Sequence, residues 1–234
     1  MLPRKHPFAA IVFDLDDTLY PESDYVRSGF LAVDLHLKNR DLCATGEFFD
    51  EAWNLFNAGK RGNIFDAAIA KLQIKIHPET VLGLVNVYRN HVPTIKLFHD
   101  AIGCLDLLSR HFLIGIITDG PAISQRKKFL ALGLSAWVSK VVYSDEYGIA
   151  CRKPHPRPFQ EMESRFTLPS QSMVYVGDNP AKDFLGARGV GWRSIRIRRE
   201  GTLHSTTEPV QGYEPDFELE SLSQLGVFLV QNRL

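Results

Sequence analysis

Three cysteines in 234 residues, Cys43, Cys104 and Cys151, are too few and too scattered for a disulfide framework, and none stands in a C-x-x-C pair. A reducing, cytoplasmic setting is expected. Net charge is lacking too. The 27 basic residues balance 27 acidic ones, so no global field draws the chain to a nucleic acid or an anionic membrane, and a charged ligand must be held locally. No run approaches the roughly 20 apolar residues of a spanning helix. The apolar stretch after Arg4 and Lys5 ends in aspartates after six residues, Phe8 to Phe13, short of a signal-peptide core of roughly 7–15. Internal repeats and low-complexity tracts are absent.

What is present is an ordinary globular composition with enough apolar residues for one generous domain or two small ones. The stretch Phe8-Ala-Ala-Ile-Val-Phe-Asp14-Leu-Asp16-Asp17-Thr18 reads as a strand buried on both faces that ends in carboxylates. Alternation along an extended chain points Asp14 and Asp16 to one side and Asp17 outward. Two like charges so placed call for a metal ion or a shared proton. Ligands of open α/β sheets bind at this carboxyl end of the strands.

After Pro21 the spacing becomes helical. Val26, Phe30, Val33 and Leu37 recur at three and four, as do Phe49, Trp53 and Phe56; Phe65, Ala68, Ile69 and Leu72; and Val81, Leu84, Val85 and Tyr88. Four helices are expected, the last starting at His77-Pro78-Glu79. The aromatics Phe48, Phe49, Trp53 and Phe56 suit a core stripe better than a pocket lining. From Pro93 buried strands alternate with helices. Phe112–Ile117 runs into Thr118-Asp119-Gly120, Lys140–Tyr143 into Ser144-Asp145, and Met173–Val176 into Gly177-Asp178, while Ser194–Arg198 alternates isoleucine with arginine. Such alternation implies right-handed crossovers and a parallel sheet. The Ser194–Arg198 strand is expected at an edge with Arg196 and Arg198 in solvent, followed by a mobile loop over Glu200–Pro215. The fold class is α/β: a Rossmann-like parallel sheet core from residues 1–20 and 94–234, with an inserted α-helical bundle, 21–93, as a cap.

Asp14 with Asp16, then Thr118, then Lys153 in Cys151-Arg-Lys-Pro154, then Asp178 and Asp183 in Gly177-Asp-Asn-Pro-Ala-Lys-Asp183 fall at or just beyond successive strand ends. In this order they resemble the four motifs of the haloacid dehalogenase superfamily of phosphohydrolases, in the branch with an α-helical cap between the first two motifs. That resemblance implies Asp14 as a nucleophile that takes up a phosphoryl group and Asp16 as general acid and base. It implies Mg²⁺ held by Asp14, the backbone carbonyl of Asp16, and Asp178. Thr118, the backbone of Asp119 and Gly120, and Lys153 would bind the phosphoryl group, with Asp183 orienting a water or Lys153 from behind.

Dehalogenases of the family lack the second aspartate, so Asp16 favours phosphoryl transfer. The expected partner is a small phosphorylated metabolite, a nucleoside monophosphate or a sugar phosphate, and the protein is expected to be a monomer or homodimer. Asp17-Thr-Leu-Tyr-Pro21 looks like the opening of some pyrimidine 5′-nucleotidases. A sugar phosphomutase uses the same core residues, and a non-catalytic binding module is the alternative of another class.

Overall fold

The computed structural model describes residues 7–231. They divide into two compact units, one reaching Pro21 and resuming at Lys96, the other Glu22–Ile95. The second unit is helical: α1 (Glu22–Lys38), α2 (Glu47–Asn57), α3 (Ile64–Lys71) and α4 (Pro78–Asn90). Val26, Phe30, Val33 and Leu37 of α1 form one apolar stripe and close a core with Phe48, Ala52, Ala68, Ile69 and Leu84. Phe49, Trp53 and Phe56 pack against that core as partly buried side chains, which accounts for their spacing. Asp34 of α1 is buried and accepts the backbone N–H groups of Gly46 (2.9 Å) and Phe49 (3.1 Å), so one helix supplies the partner for the orphan amides that open the next.

The first unit holds six strands: β1 (Ala10–Phe13), β2 (Leu113–Thr118), β3 (Lys140–Tyr143), β4 (Met173–Gly177), β5 (Arg193–Ile197) and β6 (Phe217–Leu219). Its helices are α5 (His99–Leu108), α6 (Ala122–Ala131), α7 (Arg157–Phe166), α8 (Asp183–Gly189) and α9 (Leu222–Gln231). All strands are parallel, in the order β3-β2-β1-β4-β5-β6. β1 is central and buried along its whole length, as its unbroken apolar run requires. Phe159 and Met162 of α7 and Ala187 of α8 pack with Val12, Ile117, Val142, Tyr175 and Trp192 into one core. The strand order reverses between β1 and β4, and the carboxyl ends of the strands at such a reversal are where open α/β sheets take up ligands. Among the described residues no helix is long and apolar enough to cross a membrane, and the three cysteines are free thiols.

β5 is not the edge. β6 pairs with it, from Ile195 opposite Phe217 to Ile197 opposite Leu219. Arg196 is fully buried, donating to the carbonyls of Asp178 (3.2 Å), His204 (2.7 Å) and Thr207 (2.8 Å) and pairing with Glu218 (3.1 Å). Arg198 is partly covered and paired with Glu208 and Glu218. The alternation of isoleucine with arginine thus reflects arginines that collect loop carbonyls and carboxylates, not a solvated face. The segment 200–215 is tied to the sheet through those carbonyls.

Candidate active site

Asp14 lies one residue beyond β1, its N–H bonded to Val176 O of β4 at 2.8 Å, so the switch in strand order sets its place. Its carboxylate accepts from Lys153 Nζ at 2.7 Å. That ammonium also donates to Tyr175 Oη (2.7 Å) and Asp183 Oδ1 (2.8 Å), with Lys153, Asp14 and Asp183 all buried. The second oxygen of Asp183 accepts the N–H of Asn179 at 2.9 Å. Gly177 leaves room for this: a Cβ there would stand 2.4 Å from Asp183 Oδ2.

Asp178, at the end of β4, is buried and accepts from the Thr18 hydroxyl at 3.3 Å. Among the described residues no cation pairs with it. Carboxylate oxygens of Asp14, Asp178 and Asp183 lie within 4.8 Å of one another. Burial, then the neighbouring carboxylates, raise Asp178 well above the ordinary carboxylate range. Burial likewise lifts Asp14 to about 6, against the pull of Lys153. A buried, oxygen-only set short of positive charge fits a hard divalent cation.

The carboxylate of Asp16 points to a different set of partners. It accepts from Lys128 Nζ at 2.7 Å, from Gln125 Nε2 at 3.3 Å and, through a short bond, from the Tyr20 hydroxyl. Burial acts to raise Asp16, but Lys128 and Tyr20 outweigh it and the group sits below its usual range. Gln125 also takes the Thr118 hydroxyl at 3.1 Å, so it bridges the ends of β1 and β2. Thr118 is fully buried.

Asp119 accepts from Ser144 Oγ (2.6 Å) and from the N–H of Lys153 (3.2 Å), and faces Lys182 Nζ at 3.6 Å. The N–H of Gly120, expected to face a phosphoryl oxygen, donates instead to Asp145 at 3.2 Å, and Arg152 clamps that carboxylate through two bonds of 2.6 Å. Asp17 is not outward. It is buried with φ 55°, a left-handed turn residue, and accepts the N–H of Leu203 at 3.4 Å.

The structure therefore gathers Asp14, Lys153, Asp178 and Asp183 in one buried cluster and Asp16, Thr118, Gln125, Lys128 and Tyr20 in an adjoining network. Gln125, Lys128, Tyr20 and Lys182 were not evident from the sequence. The one available signal was α6 itself: its buried polar residues are Ser124, Gln125 and Lys128, whereas Ile123 and Leu130 are exposed.

The family described as haloacid dehalogenase-like hydrolase matches residues 8–191. A glyceraldehyde 3-phosphate phosphatase from Methanopyrus kandleri is 29% identical over 224 residues, covering 92% of this chain and 94% of its own. A protein of the same name from Pyrococcus furiosus is 31% identical over 195 residues, 79% of this chain and 78% of its own. In three dimensions the HAD-hydrolase YfnB from Bacillus subtilis, solved bound to magnesium, aligns with a TM-score of 0.69 at 20% identity over 95% of this chain and 98% of its own.

Proposed function

Since this chain belongs to the haloacid dehalogenase-like hydrolase family and is a phosphoesterase, we propose that it hydrolyses a small phosphomonoester through a phosphoryl group carried on Asp14. The observation that carries this reading is the buried cluster where the strand order reverses between β1 and β4, in which Lys153 holds Asp14 while no cation among the described residues pairs with Asp178.

In the first step a carboxylate oxygen of Asp14 attacks phosphorus and the bond to the ester oxygen breaks, with Asp16 giving that oxygen its proton. In the second, Asp16 takes a proton from water, whose oxygen attacks phosphorus and releases phosphate and free Asp14. The ionised form of Asp16 that Lys128 and Tyr20 hold is the one the second step uses. Thr118 supplies a hydroxyl at the end of β2, and Lys153 lowers the negative charge that the incoming phosphate meets. Mg²⁺ held by Asp14, Asp178 and the Asp16 carbonyl would offset repulsion between nucleophile and phosphoryl oxygens; the magnesium in the structural neighbour supports that choice. Asp183, with both oxygens engaged by Lys153 and Asn179, keeps Lys153 in place.

For the substrate we favour a sugar phosphate over a nucleoside monophosphate, because relatives across most of the chain are named for a three-carbon sugar phosphate. The helical unit takes the role of cap and selects among such esters. Phosphate release is measured across phosphorylated metabolites with Mg²⁺ supplied and then chelated. Turnover of short sugar phosphates that stops on chelation is expected. Release of phosphate from none of them would contradict the reading.

A further inference from the structure

The outward face of α1 carries leucines where a helix facing only water would carry charge. Leu31 is 47% exposed and Leu35 56%. The inward stripe of Val26, Phe30, Val33 and Leu37 already fills the helical core, so these two form a second apolar feature that the core does not use. At 3.6 residues per turn, Asp24, Arg27, Leu31, Leu35 and Lys38 fall within about 80° of one another on that face.

Beside the stripe lies a cavity of about 290 Å³, lined by Ser28, Leu31 and Ala32 of α1 and by His91, Val92 and Thr94 of the segment that follows α4. Its far wall is held in place. Ser28 Oγ accepts the N–H of Thr94 at 3.0 Å and is bonded to His91 Nε2 at 2.7 Å. Val92 on that wall is 83% exposed, so the apolar surface runs from the helix across the cavity.

The charges on the stripe complement themselves. Asp24, in the acidic first turn of α1, stands seven residues before Leu31, and Lys38, in its basic last turn, seven after. Neither has an ion pair among the described residues. A second α1 laid antiparallel about a two-fold axis at Leu31 sets Asp24 of each copy opposite Lys38 of the other. Leu31 then meets its own counterpart. Leu35 falls opposite Arg27, whose methylenes can cover it at the mouth of the cavity. The helix dipoles oppose favourably as well. A parallel arrangement would set like charges side by side instead.

We propose that this face of α1 is the interface of a homodimer in which two copies of the chain pack antiparallel through it. An acid and a base placed equally about one leucine are matched by a second copy without further adjustment, which favours that occupant over an unrelated protein.

The test is sedimentation equilibrium of the full chain over a range of concentrations. A reversible dimer is expected. Leu31→Glu should weaken it at least about tenfold, since two carboxylates would meet at the axis. Asp24→Lys and Lys38→Asp should each weaken it about tenfold, and the two together should return it to within about threefold of the unaltered chain. Circular dichroism and melting of these surface variants should match the unaltered chain. Leu31→Cys gives a second readout that needs no loss of binding: oxidation should link two chains beyond any background from the unaltered protein, whose own cysteines are free thiols. A chain that stays monomeric throughout, leaving the face to another occupant, overturns the proposal. So does a dimer that Leu31→Glu leaves intact, a double charge reversal that recovers nothing, or an oxidised Leu31→Cys protein with no added cross-link.

Discussion

Two carboxylates two residues apart, Asp14 and Asp16, are given different characters by what surrounds them. Asp14 shares its cation with Asp183 and sits high, at about 6, because burial dominates. Asp16 accepts from Lys128, Tyr20 and Gln125. In the metal-free site the divergence favours the second step, for which Asp16 is ionised, whereas the first step needs a cation beside Asp14 to keep the nucleophile ionised. Lys128→Met should loosen Asp16 and lower kcat by about ten- to hundredfold with little change in KM, since proton transfer contributes on that scale. The loss should fall on the step in which Asp16 takes a proton from water, so that alcohol is released in a burst ahead of phosphate; equal slowing of both releases would argue that Lys128 only stabilises the fold. Gly177→Ala places a methyl 2.4 Å from Asp183 Oδ2. It should cost roughly 1–3 kcal/mol by overpacking and lower activity, read by urea unfolding and by turnover; a protein of unchanged stability would contradict the contact.

At the scale of elements, the arrangement depends on β5 as much as on the strands that carry the carboxylates. Arg196 of β5 holds Asp178 O, His204 O and Thr207 O together. Arg196→Ala should therefore destabilise by roughly 3 kcal/mol or more, because buried carbonyls lose their donors, and should open the 200–215 segment to protease. A loss under about 1 kcal/mol would show that water replaces the guanidinium without difficulty. Here lies the limit of what was legible from sequence. β1, β2 and β4 and the stripe of α1 could be read because burial of apolar runs is a local pattern. The Ile-Arg alternation of β5 reads the same whether the arginine meets solvent or loop carbonyls, so its interior position could not be read. α6 inverted the usual pattern by turning Gln125 and Lys128 inward, and helical periodicity is blind to a polar face that is buried for its hydrogen bonds. Asp14, Thr118, Lys153 and Asp178 were visible since strand ends expose them in order, whereas Tyr20, Gln125 and Lys128 come to Asp16 from a turn and a helix.

For the molecule as a whole, the site is a debt in the metal-free state. Asp14 moves from an ordinary 3.8 to about 6 and Asp178 moves up as well. A carboxyl raised in the folded state lends stability that is full below its unfolded value and lost as pH rises through the folded one. Metal-free protein should accordingly lose stability from these groups between about pH 4 and 7. Mg²⁺ should restore it, by about 2.7 kcal/mol at a hundredfold excess over its Kd. Melting curves at pH 5 and pH 7.5 with and without Mg²⁺ should show the larger Tm gain at the higher pH; equal gains at both would place the ion elsewhere.

In the proposed reaction Asp14 carries the phosphoryl group between the two steps. Acid quenching during turnover, followed by mass spectrometry of the peptide containing Asp14, tests it directly. A mass increment of one phosphoryl group on Asp14 is expected, absent from the Asp14→Asn protein and absent when Mg²⁺ is chelated. Steady phosphate release with no such adduct, or release that persists in Asp14→Asn, would contradict it.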